Sequence, residues 1–122
     1  MQKNQSFITG RLFSFYYAFK GAWVLITTEH AAMVQFVAAV IVTLMGVVFN
    51  ISTTEWALQT LAIGMVMGSE GLNTALEKIA DFIHPDYHEK IGQIKDVAAG
   101  AVFIVAICAF VIGCLIYIPK LI

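Results

Sequence analysis

The sequence predicts an all-α membrane protein, with an N-terminal amphipathic surface helix followed by three transmembrane helices. Two observations carry this expectation. Hydrophobic residues make up 60% of the 122-residue chain and charged residues 12%, against about 45–50% and about 25% in soluble domains. Two apolar runs, 31–49 and 97–118, are each long enough to cross roughly 30 Å of hydrocarbon as a helix. The length allows one domain, 1–122. A net charge of -1 gives no reason to expect a nucleic-acid partner.

The elements follow in order. The surface helix covers about 6–28. Phe7, Phe13, Phe15, Tyr16, Tyr17, Phe19 and Trp23 alternate there with Arg11 and Lys20, a mix suited to the headgroup layer. Polar Gln2 to Ser6, with Arg11 and Lys20 beyond, is not expected to form a secretory signal peptide. The first span, 31–49, has only Gln35 and Thr43 as polar residues. A polar loop follows, in which Ser52, Thr53 or Thr54 can cap the next helix, and Trp56 suits an interfacial anchor.

The second span, about 55–83, is apolar in its first half and gains Glu70, Asn73, Glu77 and Asp81 in its second. Gly64 and Gly68 form a GxxxG, which permits close helix approach. His84-Pro85-Asp86 ends this helix and opens a loop to about Gly92. The third span covers about 96–118, with a slim start at Ala98 to Ala101 and an exit at Pro119 and Lys120. Cys108 and Cys114 lie six apart on this helix. They face different directions and are expected to be buried, reduced packing residues.

The cations orient the chain. Lys3, Arg11 and Lys20 precede the first span, and Lys78, Lys90 and Lys95 surround the loop between the second and third. The loop between the first and second has no Lys or Arg. The positive-inside rule then expects the N-terminus and the 84–92 loop in the cytoplasm and the C-terminus outside.

Glu70, Asn73, Glu77 and Asp81 are spaced 3, 4 and 4. At about 100° per residue they fall within roughly 80° and form one helix face. Carboxylates in a membrane are costly and need a partner or a cation. Glu29 and the Lys95–Asp96 pair approach the same edge. So many acids at one depth repel unless a cation offsets them. Mg²⁺ suits hard oxygen ligands and takes one or two carboxylates plus substrate phosphates. That combination points to phosphoryl transfer onto a lipid hydroxyl, with a separate carboxylate accepting its proton. A solvated helix end with ordinary surface acids is the bland alternative, and an ion-coupled membrane protein using the same stripe is another. No GxxxxGK[ST], kinase glycine loop or DFG occurs, so spacing alone does not establish ATP as donor.

The run SEGLNTALEKIAD followed by YHEKIGQIKDVAAGAV resembles the small prokaryotic diacylglycerol kinase and undecaprenol kinase family. The opening SFYYAFKGAW, with Glu29 beyond it, is similar as well. The resemblance covers about 11–119. It implies an ATP- and Mg²⁺-dependent lipid kinase of the bacterial inner membrane, a homotrimer of three-span subunits with active sites shared at the cytoplasmic edge.

By the resemblance, Glu70 matches the general base and Asn73 the amide that organises base and substrate. Glu29 and Glu77 match the metal-binding carboxylates, which also touch the nucleotide through the metal. Lys95 and Asp96 match a nucleotide-contacting pair, and Tyr17, Asp86, Tyr87 and His88 further nucleotide contacts. Arg11 matches a basic residue at the lipid headgroup. Each also has a plainer reading: Lys95 snorkelling, His88 a loop histidine, Tyr17 an anchor, Asp81 a brace. The region KIGQIKD leans toward the undecaprenol branch. One stretch departs from that branch's ExNxRIH: Ala31, Met33 and Gln35 stand where an amide, an arginine and a histidine are usual. That departure puts substrate preference in doubt and leaves room for a non-catalytic assembly protein of the same fold.

Overall fold

The computed structural model describes residues 6–122; Lys3, and the polar opening around it, lie outside them. Four α-helices follow one another, α1 (Phe7–Thr28), α2 (His30–Val48), α3 (Thr53–Ile83) and α4 (Glu89–Leu121). Among the described residues there is no strand. The most extensive packing is between α3 and α4, and α2 packs against both α1 and α3.

Local chemistry sets each boundary. Ser6 caps α1, its hydroxyl accepting from the Thr9 N–H at 3.2 Å. Glu29 then breaks the helix with extended dihedrals (φ -100°, ψ 121°) and starts α2 without a side-chain cap. No residue of α1 is buried. Its apolar side chains spread over more than one face, so its sidedness is weaker than a surface helix would ideally have.

The end of α2 is a Schellman turn. Ile51 N–H donates to Gly46 O at 3.1 Å and Asn50 N–H to Val47 O at 3.2 Å. Asn50 takes the left-handed conformation this requires, at φ 51°, and asparagine tolerates it better than most residues. Of the three expected caps, Ser52 starts α3 through a capping box with Glu55. Pro85 follows the α3 C-cap, His84.

Two of the four helices, His30–Val48 and Glu89–Leu121, are long and apolar enough to cross a membrane. With 31 and 33 residues, α3 and α4 extend about 46 and 50 Å. Both therefore overrun a hydrocarbon layer of about 30 Å. The overrun differs from the sequence expectation: α4 begins at Glu89 rather than beyond Gly92. His88 caps it, its Nδ1 accepting from Lys90 N–H at 3.1 Å. At the other end α4 runs through Pro119 to Leu121, because proline in a last turn forfeits only one backbone bond.

Opposite the acids, Ile51, Ile116 and Tyr117 form a small buried cluster with Met45, Phe49, Trp56 and Ile112 around it. Polar bonds tie three helices there. Gln59 Nε2 donates to Val42 O at 3.1 Å, and the Tyr117 hydroxyl lies 2.6 Å from Gln59 Oε1. Lys120 Nζ donates to Glu55 Oε2 at 2.7 Å. Both cysteines are free, but Cys108 is exposed and Cys114 half-buried. The expected burial of both is thus corrected: α4 turns much of its apolar surface, including Phe103, Ile104 and Phe110, away from the chain's own core.

Gly46 is where α2 meets Trp56. A Cβ there would sit 2.7 Å from Trp56 Cη2 and 3.0 Å from Ile51 Cδ1. Gly46→Ala is therefore expected to destabilise the bundle by about 1–3 kcal/mol, the usual scale of overpacking. Thermal unfolding in detergent checks this, and an unchanged midpoint would show that the Trp56 ring yields freely.

Candidate active site

The acidic face of α3 passes from interior to surface along the helix. Glu70 is buried, Asn73 and Glu77 are half-buried, and Asp81 is exposed.

Glu70 is 7% exposed. Among the described residues, no hydrogen bond or ion pair engages its carboxylate. A carboxylate that no protein group engages is free to meet a substrate hydroxyl or a bound cation. One turn on, Asn73 Nδ2 donates to Glu77 Oε1 at 3.2 Å. Asn73 Oδ1 is buried and has no partner, so the pair aligns Glu77 and leaves one amide oxygen uncommitted.

The other candidates divide. Glu29, between α1 and α2, lies 3.6 Å from Lys78 Nζ across to α3. Lys95 Nζ donates to Asp81 Oδ1 at 2.5 Å, so its partner is Asp81 rather than the adjacent and exposed Asp96. That bond gives Asp81 a bracing contact between α3 and α4. Asp86, Tyr87 and His88 form the exposed turn between these helices. His84 Nδ1 is 2.7 Å from Asp86 O, and the His84 and His88 rings lie 5.3 Å apart, edge to face. Arg11 and Tyr17 are exposed on α1: the Arg11 guanidinium sits 5.9 Å from the Phe7 ring, and Tyr17 stacks on Phe13 and meets Tyr16 edge to face. Within one chain neither makes a polar contact with the acids of α3.

Among the described residues, no three His, Cys, Asp or Glu side chains gather closely enough to hold a metal ion by themselves. The donor set still fits a hard divalent cation. Mg²⁺ takes one or two carboxylates and completes its shell with phosphate and water. Glu29, Glu77 and the unpartnered Asn73 Oδ1 are all oxygen donors of that kind. Lys78 is the residue that sequence reasoning missed. It entered only as one of the cations that orient the chain, because nothing in its spacing reveals that the α1–α2 corner brings Glu29 beside it.

Comparison with known proteins gives this geometry a family. The model of the family described as prokaryotic diacylglycerol kinase matches residues 16–117. The undecaprenol kinase of Bacillus subtilis (strain 168) is 38% identical over 108 residues, covering 88% of this chain and 88% of the relative. The diacylglycerol kinase of a Synechocystis species is 33% identical over 111 residues, 90% of this chain and 63% of that relative. The diacylglycerol kinase of Escherichia coli (strain K12) is 30% identical over 103 residues, 82% of each chain. With its motifs at 70–81 and 95–102 inside the matched region, the chain belongs to the prokaryotic diacylglycerol kinase family.

Proposed function

We propose that the chain is a lipid kinase that moves the γ-phosphoryl group of ATP onto the hydroxyl of undecaprenol or diacylglycerol at the cytoplasmic face of the membrane. The observation that carries the reading is the buried, unpartnered Glu70 one turn from the Asn73–Glu77 pair.

In this reading Glu70 accepts the proton of the lipid hydroxyl as its oxygen attacks the γ-phosphorus. The bond from that phosphorus to the β,γ-bridging oxygen breaks, and ADP leaves. Glu29 and Glu77 hold Mg²⁺, which when bound neutralises phosphate charge and orients the transferred group. Asn73 keeps Glu77 aimed. An ammonium carries three donors, so Lys95 has two left for phosphate after Asp81. Asp96, Tyr17 and the Asp86-Tyr87-His88 turn contact the nucleotide, and Arg11 meets the lipid headgroup.

The same reading makes α1 a surface helix and α2, α3 and α4 three spans of one domain, 1–122. The N-terminus and the 84–88 turn face the cytoplasm and the C-terminus lies outside. The working unit is a homotrimer with sites shared between neighbours. The lack of polar contact between α1 and the α3 acids within one chain, among the described residues, supports this.

Undecaprenol is the favoured acceptor. KIGQIKD leans that way, and the identity of 38% to an undecaprenol kinase exceeds the 33% and 30% to diacylglycerol kinases. The test offers purified protein in bicelles Mg-ATP with both lipids and follows labelled γ-phosphate. Preferential labelling of undecaprenol is expected. Labelling of diacylglycerol alone would reverse the acceptor, and labelling of neither would favour a non-catalytic member shaped by Ala31, Met33 and Gln35.

A further inference from the structure

Lys78 is absorbed by none of the roles above, yet it touches one of the two carboxylates assigned to the metal. Its Nζ lies 3.6 Å from Glu29 Oε1. Three observations make this more than a chance surface contact. Glu29 is the N-cap of α2 but makes no capping bond with its side chain, so its carboxylate serves neither adjoining helix. The two residues line a cleft of about 310 Å³ between α1 and α3, together with Leu25, Gly71 and Thr74. Gly71 in that cleft has Leu25 so close that a Cβ would meet Leu25 Cδ2 at 3.0 Å. The Leu25 side chain thus reaches across the cleft to α3 at Gly71, about two turns from the point where Glu29 comes within reach of Lys78.

The pair is also loose. A charge-assisted N–H···O bond is about 2.7–2.9 Å long, and this contact exceeds that. The side chains are 64% and 32% exposed, so solvent screens the attraction. A contact this weak does little for stability. It is suited to a carboxylate that must be neutralised in one state and released in another.

We propose that Lys78 is a resident counter-cation of Glu29, a positioning residue that holds this carboxylate while the site lacks a divalent ion and gives it up when the ion binds. The proposal rests on the reading of Glu29 as a metal-binding carboxylate. Lys78 then competes with the ion for Glu29. It holds the α1–α2 corner beside α3 while the ion is absent, at the cost of some metal affinity.

The test is binding of Mn²⁺ alone, without nucleotide or lipid, to the full chain in nanodiscs, read by electron paramagnetic resonance of the free ion. Lys78→Met is expected to tighten Mn²⁺ binding by roughly two- to fivefold, the range an exposed ion pair supports. Lys78→Arg, which keeps the charge, is expected to bind as the unaltered chain does. In a Glu29→Gln background the Lys78→Met gain should vanish, since a coupling disappears once one partner is gone. Unchanged or weaker binding by Lys78→Met would overturn the proposal. So would a gain that persists in Glu29→Gln, because the lysine would then act only through its general field.

A second reading covers the case in which Glu29→Gln binds too weakly to measure. With lysines ¹³C-methylated, the Lys78 signal, identified by its loss in Lys78→Arg, should move on addition of Mg²⁺, and a stationary signal contradicts displacement. Failure of the underlying reading is distinguishable: Glu29→Gln would then bind Mn²⁺ as well as the unaltered chain does.

Discussion

Replacing Glu70 by glutamine is expected to abolish phosphoryl transfer while leaving the protein as stable as before. The two halves of this expectation come from one fact. Glu70 is 7% exposed and has no protein partner, so its carboxylate contributes no bond to the fold. Glutamine has nearly the same volume, so the substitution breaks nothing in the packing. It does remove the proton acceptor. General-base catalysis contributes typically about 10²–10⁴-fold, and turnover should fall by that factor. A purely structural carboxylate would behave in the opposite way, losing stability with little direct effect on the chemistry. Initial rates and thermal midpoints in the same detergent separate the two. Full turnover in Glu70→Gln would end the base assignment.

The second large effect concerns magnesium. Glu77→Gln and Glu29→Gln should each move the magnesium dependence of turnover to higher concentration and lower the rate at saturating ATP. Losing a residue that merely supports a metal ligand costs roughly 10–100-fold in affinity or activity, and losing a ligand itself should cost at least that. The two variants differ in what they leave behind. In Glu77→Gln the side-chain oxygen can still accept from Asn73 Nδ2, now at 3.2 Å from Glu77 Oε1, so the α3 face keeps its shape. In Glu29→Gln the Lys78 ammonium loses its partner. A magnesium titration of each variant decides the matter, and a curve superimposable on that of the unaltered chain would remove that residue from the metal site.

Much of the scaffold is legible in residue pattern. The apolar run of α2 has almost no polar interruption, so its ends are visible to within a residue. The stripe from Glu70 to Asp81 is visible because a period near 3.6 puts acids on one face of an apolar helix, and its burial gradient follows the same pattern. Other features depend on tertiary packing and leave no local trace. The start of α4 looks like loop because only Ile91 is a large apolar residue in 89–93 and Gly92 follows it, yet His88 caps it and Lys95 ties it to Asp81 on α3. Apolar character alone suggested burial for Cys108, whereas α4 turns that side chain outward. The partner of Lys95 could not be read either, because Asp81 lies fourteen residues away and meets it only across the α3–α4 interface. The Lys78–Glu29 contact exists only because the α1–α2 corner comes to lie beside α3.

The central claim is that the acidic face of α3 transfers phosphate to a membrane hydroxyl. The most direct test follows ³¹P resonances in bicelles holding the protein, undecaprenol and Mg-ATP. The account predicts a growing lipid phosphomonoester signal matched by loss of the ATP γ-phosphorus and gain of ADP, absent with Glu70→Gln and absent without an acceptor lipid. Release of inorganic phosphate with no phosphomonoester, or the same growth with Glu70→Gln, would contradict it.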